Sequence, residues 1–68
     1  MKGIVMWYNV QRGFGMIRGE DGLEYFAHRS QVPFWSIFLN EGDCVSFSIE
    51  DSSRGPKAVD VNVLEEKR

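Results

Sequence analysis

The chain has 68 residues, 43% apolar and 26% charged, with ten acidic against eight basic side chains and a formal net charge of −2. This length allows one small domain with little interior for a catalytic cleft, and the composition is that of a globular protein rather than a disordered or membrane-spanning segment. A negative net charge is the wrong sign for binding polyanions by bulk electrostatics. We therefore expect a single domain over residues 1–68 that is not an enzyme.

The first segment, MKGIVMWYNVQRG, lacks the apolar run of a signal peptide because Asn9, Gln11 and Arg12 interrupt it. A cytoplasmic location is therefore expected. One cysteine, Cys44, and one histidine, His28, provide neither a disulfide within the chain nor a four-ligand metal site. We expect no cofactor, no small-molecule substrate and no membrane partner, and we expect Cys44 to be a half-buried strand residue.

Three turn-forming stretches, GEDG, NEGD and DSSRGP, separate β-rich runs of the chain. The five predicted strands are approximately 2–9, 13–18, 23–28, 44–50 and 57–64. Apolar and polar residues alternate in the last two, which is the period of a strand with one buried face, and no run has the 3.6-residue period of a helix. Because a flat sheet would leave open edges, we predict an all-β fold, a five-stranded antiparallel barrel.

Alternation also predicts which side chains face the core of this barrel. The inward candidates are Val5, Ile17, Tyr25, Ala27, Val45, Phe47, Ile49, Val61 and Val63. Phe14, Met16 and Arg18 then lie on the outer face of the second strand, and Phe26 and His28 on that of the third. The opposite register would make Phe14 and Met16 core residues and expose the neighbouring glycines. The small glycines beside Phe14 favour the exposed arrangement.

Exposed aromatic rings on a small barrel are typical of proteins that bind single-stranded nucleic acid, since bases stack on the rings while cations follow the phosphates. The residues that fit this pattern are Trp7 or Tyr8, Phe14, Phe26 and His28, with Arg12, Arg18 and Arg29 around them. Stacking would supply the affinity that the net charge does not.

The order of four segments, GIVMWYNVQRGFGMI, YFAHRS, EGDCVSFSIE and RGPKAVDV, resembles a cold-shock domain over nearly the whole chain. RGFGMI and YFAH are similar to the two ribonucleoprotein-type motifs of that family. The resemblance implies a five-stranded oligonucleotide-binding barrel, or OB-fold, that binds single-stranded RNA or DNA with weak sequence preference. It also implies an RNA chaperone that modulates transcription or translation.

The resemblance further implies roles for individual residues. Base stacking is implied for Trp7, Phe14, Phe26 and His28, phosphate contact for Arg12 and Lys57, and a lesser part for Tyr8. Met16 and Arg29 depart from the family pattern, because each stands where a stacking aromatic is usual. A methionine sulfur and a planar guanidinium still lie well against bases, so we expect retained binding with lower affinity or altered base preference.

The segment 32–39 is unusually apolar for a loop. Ser30 is predicted to cap a single helical turn with Pro33 in its first turn. The side chains expected to plug the barrel end are Val32 and either Ile37 or Leu39.

Aromatic side chains of the same segment that stay outside the barrel would extend the base platform or form a protein interface. These are Phe34, Trp35 and Phe38. The alternative hypothesis is thus a protein-interaction or homodimerisation module that acts through 32–39, with weakened nucleic-acid binding.

Overall fold

The computed structural model describes residues 1–32, 39–53 and 55–65, without the side chain of Glu65. These residues form five strands and one short 3-10 turn, and they contain no α-helix. The strands are β1 (Lys2–Asn9), β2 (Phe14–Gly19), β3 (Glu24–His28), β4 (Cys44–Ser52) and β5 (Gly55–Glu65), and the 3-10 turn is Arg29–Gln31.

The strands close into a barrel in the order β1-β2-β3-β5-β4. The all-β prediction is confirmed, but the fully antiparallel arrangement is wrong in one pairing. β3 and β5 run parallel, with Phe26 opposite Lys57 and Ala27 opposite Ala58, whereas the other four pairs are antiparallel. The reason is parity, because strand direction cannot alternate all the way round a closed ring with an odd number of members.

The barrel interior contains most of the predicted core side chains. The buried apolar residues are Val5, Ile17, Tyr25, Ala27, Val32, Leu39, Val45, Phe47, Ala58 and Val61, and Val63 packs against them half-buried. Ile17 and Ala27 are completely inaccessible to solvent, which confirms the predicted register of β2 and β3. The opposite register, in which Phe14 and Met16 would be core residues, is therefore wrong.

Ile49 was predicted to face the core, and this prediction is wrong because its side chain is 42% exposed. β4 pairs with β1 only through Cys44, Val45 and Ser46, and Phe47 completes that side with hydrogen bonds to Met1. Beyond Phe47, within the described residues, β4 has β5 alone as a neighbour. A side chain on such a two-stranded extension has no second strand to cover it.

The connection after β3 begins with a turn capped differently from the prediction. The 3-10 turn starts at Arg29, and its cap is His28, whose side chain accepts the backbone N–H of Ser30. Val32 and Leu39 are buried in the core as predicted. The other predictions for this segment concern residues outside the described ones. They are Pro33 in the turn, Ile37 in the plug, and Phe34, Trp35 and Phe38 as aromatics outside the barrel.

Candidate nucleic-acid interface

Three aromatic rings lie side by side on the outer face of the barrel. They are contributed by three consecutive strands, Trp7 by β1, Phe14 by β2 and Phe26 by β3. Alternation turns Phe14 and Phe26 outward, because their neighbours Gly15 and Ala27 face inward. Trp7 faces outward for another reason: a β-bulge between Val5 and Trp7 breaks the alternation that would otherwise put Trp7 on the same side as the buried Val5. We call these three residues the aromatic row.

The rings of the aromatic row are already ordered against one another. The ring centroids of Phe14 and Phe26 are 5.5 Å apart with a 28° interplanar angle, and those of Trp7 and Phe14 are 5.7 Å apart at 75°. Such pairs contribute about 0.5–1.5 kcal/mol beyond the apolar area they bury. Trp7 is 44% and Phe26 38% exposed. The row therefore offers apolar ring surface to solvent in a fixed arrangement, which lowers the entropic cost of binding a flat ligand.

Close approach of the backbone beneath the row depends on Gly15. In the β1–β2 register Gly15 lies opposite Tyr8 and faces the interior. A Cβ at this position would overlap the carbonyl oxygen of Trp7 and would lie 2.8 Å from the Cα of Tyr8. The glycine therefore lets β2 pack closely on β1 and holds Phe14 beside Trp7.

Two polar or flexible side chains border the row. Met16 is half-buried and lies opposite both Trp7 and Phe26 in the strand registers. His28 lies opposite Phe14, and its Nδ1 is 3.1 Å from the backbone N of Ser30 and 3.0 Å from its Oγ. Because Nδ1 accepts the Ser30 N–H, the proton of the neutral ring resides on Nε2. His28 thereby presents a hydrogen-bond donor at the edge of the row.

Tyr8 does not join the aromatic row. Its ring is half-buried against the core, and its hydroxyl has no hydrogen-bond partner among the described residues. Burial raises the pKa of the Tyr8 phenol above its ordinary value, and the nearby positive charge of Arg29 opposes this rise. The predicted nucleic-acid contact of Tyr8 stays a prediction, because the half-buried position of its ring does not test it.

The predicted cations surround the row at different points. Arg12 is exposed in the β1–β2 loop, where its backbone N–H donates to Asn9 Oδ1 at 3.0 Å. Lys57 lies opposite Phe26 across the parallel pair, and its Nζ is 3.4 Å from Glu50 Oε1. Arg29 follows His28, and its backbone N–H donates to the carbonyl oxygen of Gly13 at 2.7 Å.

Arg18 lies farther along the outer face of β2 than the residues of the row. Its guanidinium is 3.4 Å from Glu24 Oε2, and both side chains are about half exposed. Trp35, the remaining predicted site residue, lies outside the described residues.

A groove of about 420 Å³ adjoins the row, and several of its residues were missed in the sequence. Met16 and Phe26 form one side of the groove. The other side is the β4–β5 hairpin, with Ser52, Ser53, Gly55, Pro56 and Lys57. The sequence feature that could have indicated the hairpin is RGPKAV, which includes Lys57. Its residues Gly55 and Pro56 come near Phe26 only because β3 pairs in parallel with β5.

The described parts of the chain contain neither a group of metal-ligating side chains nor a helix that could cross a bilayer. No group of three His, Cys, Asp or Glu side chains there is placed to hold a metal ion. Cys44 is a free, half-buried thiol on β4, as predicted. None of the described helical segments has the length and apolar character needed to span a bilayer.

A closed five-stranded barrel with an ordered, solvent-facing row of aromatic rings defines a class of small nucleic-acid-binding proteins. Comparison with protein families identifies the member of this class. Residues 1–64 match the family described as "'Cold-shock' DNA-binding domain". The chain belongs to the cold-shock domain family, whose members bind nucleic acid and are not enzymes.

Individual relatives cover nearly the whole chain. The major cold shock protein of Streptococcus pyogenes serotype M6 is 41% identical over 64 residues, which is 93% of this chain and 96% of the relative. Cold shock-like protein CspC of Bacillus cereus is 44% identical over 62 residues, 90% of this chain and 95% of the relative. Cold shock protein 1 of Lactiplantibacillus plantarum is 43% identical over 60 residues, 87% and 91% respectively.

Proposed function

We propose that the chain is a single OB-fold domain over residues 1–68 that binds single-stranded RNA or DNA by stacking bases on the aromatic row. The observation that carries this proposal is the stacked, partly exposed pair Phe14 and Phe26 beside Trp7. Each base stacked on such a ring contributes about 1–3 kcal/mol to binding. Two or three stacked bases therefore supply useful affinity without a basic surface.

The proposed roles follow from position. Trp7, Phe14 and Phe26 stack on bases, and His28 borders them with a ring held by Ser30. Met16 lies between Trp7 and Phe26 and contacts a base through its polarizable sulfur. The cations assigned to phosphates are Arg12 in the β1–β2 loop and Lys57 beside the groove.

The proposed activity is that of a cytoplasmic RNA chaperone that modulates transcription or translation. Bases held on the barrel are unavailable for pairing, so binding favours the unpaired state of a structured strand. Because no bond is made or broken, the cycle needs neither a cofactor nor ATP. Weak binding with fast release then lets a strand rearrange.

Modest dependence on salt is part of the proposal. The net charge is −2, and both Lys57 and Arg18 already lie beside carboxylates on neighbouring strands. A strand that binds mainly by stacking releases few counterions, so its affinity falls little as salt rises.

The test is a tryptophan-fluorescence titration with short single strands of DNA and RNA at two salt concentrations, with duplex as control. Single strands should quench the fluorescence and duplex should not. The double variant Phe14→Ala with Phe26→Ala should bind at least tenfold more weakly, since it loses two stacking surfaces.

Leu23→Ala provides the matched control, because Leu23 is 59% exposed in the β2–β3 turn, away from His28. This variant should bind like the unchanged protein. Absence of quenching at any salt in a folded protein would overturn the proposal. The interaction-module alternative rests on 32–39, of which 33–38 lie outside the described residues, and nothing in the described part favours it.

A further inference from the structure

The backbone around Arg29 is fixed from two sides. Its N–H donates to the carbonyl oxygen of Gly13 at 2.7 Å, and its own carbonyl oxygen accepts the N–H of Val32 at 3.0 Å. These bonds tie the start of the 3-10 turn to the β1–β2 loop. Arg29 is exposed, so its side chain starts from an ordered backbone at the protein surface.

Gly13 provides a surface for the Arg29 side chain. A Cβ built on Gly13 would lie 3.3 Å from Arg29 Cβ, 3.4 Å from Nε and 3.6 Å from Cζ. The guanidinium is therefore folded back against the loop rather than extended into water. Gly13 has a φ of +74°, which favours glycine, and it directly precedes Phe14. The guanidinium thus lies near Phe14 of the aromatic row and the bordering His28.

The hydrogen-bonding groups of Arg29 differ from those of two other cations on this face. Arg18 and Lys57 are each within 3.4 Å of a carboxylate oxygen, whereas Arg29 takes part in neither of these ion pairs. Burial raises the pKa of the Tyr8 phenol, and the charge of Arg29 acts to lower it. This phenol is neutral at physiological pH and therefore supplies no negative charge to the guanidinium. In the described part of the chain, the planar set of N–H donors of Arg29 is not matched to a carboxylate.

Guanine is the base whose Hoogsteen edge fits these donors. It presents two adjacent acceptors, O6 and N7, which a guanidinium contacts with two parallel hydrogen bonds. On the same edge adenine has a donor beside N7, cytosine presents an amino group, and thymine has one acceptor beside a methyl group. The two adjacent acceptors of cytosine, N3 and O2, lie on its Watson–Crick edge instead. A base stacked on Phe14 would place its edge toward the Arg29 side chain.

We infer that Arg29 is a specificity-determining residue that recognises guanine in a single strand bound to the aromatic row. This inference rests on the proposed function, because the guanine must be held by stacking near Phe14. A phosphate group also presents two oxygens to a guanidinium, and the experiment has to distinguish these two ligands.

The experiment compares hexathymidylate with six variants of that strand, each carrying one guanine at a different position. Affinities are measured by tryptophan quenching for the unchanged protein and for Arg29→Lys. At one position guanine should improve binding by about fivefold or more, and Arg29→Lys should remove most of that preference while retaining charge. Replacing that guanine by 7-deazaguanine, which lacks N7, should have a similar effect on the unchanged protein.

Arg18→Lys is the matched control, because Arg18 is an exposed arginine on β2 that is paired with Glu24. It should leave the guanine preference intact. If Arg29→Lys weakens all strands equally, Arg29 contacts phosphate rather than guanine and the inference is wrong. If guanine gives no preference at any position, the inference is also wrong, because the bound strand is then not read at guanine. If hexathymidylate does not bind at all to the folded protein, the proposed function itself fails, which is a separate outcome.

Discussion

Met16 is a non-aromatic side chain among the rings of the candidate interface. It lies opposite Trp7 and Phe26 and is half-buried. Its side chain is flexible and adds no ring face of its own to the row. The centre of the stacking surface is therefore its least rigid part.

We predict that Met16→Phe increases affinity for a short pyrimidine strand severalfold, because an added ring supplies a further stacking surface worth about 1–3 kcal/mol per base. Equilibrium tryptophan quenching measures the change. Met16→Leu is the control, since it retains an apolar side chain without adding a ring, and should produce no gain. Equal or weaker binding by Met16→Phe would contradict a stacking role at this position.

Asp21 fixes the β2–β3 turn through its carboxylate. It accepts the hydroxyl of the buried Tyr25 and the backbone N–H of Leu23. These two hydrogen bonds, that from Tyr25 first, hold the pKa of the Asp21 carboxyl below its ordinary value of 3.8. A depressed pKa in the folded state stabilises the fold above the unfolded-state pKa, and this contribution is lost as pH falls through the folded-state pKa.

The predicted consequence is a pH-dependent difference between the unchanged protein and Asp21→Asn. At pH 7 the variant should melt at lower temperature, and the difference should shrink as pH falls from about 5 toward 3. Thermal melts followed by circular dichroism measure it. Glu20→Gln, which alters the neighbouring exposed carboxylate, should leave the pH profile unchanged. A constant difference across this range would show that the Asp21 charge is not responsible.

At the scale of elements, the β4–β5 hairpin places two opposite charges at the candidate interface. Lys57 would attract a phosphate, and Glu50 competes with that phosphate for Lys57. Pairing continues to the tip of the hairpin, with Asp51 opposite Pro56 and Ser52 opposite Gly55, so the turn is shorter than the predicted 51–56. Glu50 lies opposite Lys57, and their exposed ion pair is weak. A phosphate that approaches Lys57 must therefore displace or tolerate the carboxylate of Glu50.

We predict that Glu50→Gln strengthens single-strand binding up to about fivefold at low salt. Its affinity should also fall more steeply with salt, by about 0.7 in the slope of log K against log salt, because one more cation is available to phosphate. Asp51→Asn changes the net charge equally but lies outside the ion pair, so it is the matched control. Equal gains in both variants would indicate an effect of net charge alone.

At the scale of the whole molecule, alternation predicted the strands and the sides of Ile17, Tyr25 and Ala27, because these depend on local period and burial. Ile49 was misplaced because its exposure depends on where β1 stops pairing with β4. The position of Arg29 over Gly13 was not predictable from either segment alone. Contacts between segments distant in sequence thus account for what the pattern missed, including the groove beside the aromatic row.

The parallel pair of β3 and β5 also links binding to folding. It joins the first half of the chain to the last, and residues on both sides of this seam, Phe26 and Lys57, line the groove. The seam pairs two strands that β4 separates in the sequence, so the complete site exists only when β3 and β5 are paired. A nucleic-acid strand that binds across the seam binds only the closed barrel, so it stabilises that state by mass action. Bound nucleic acid would thus raise the free energy of unfolding of a domain whose own core is small.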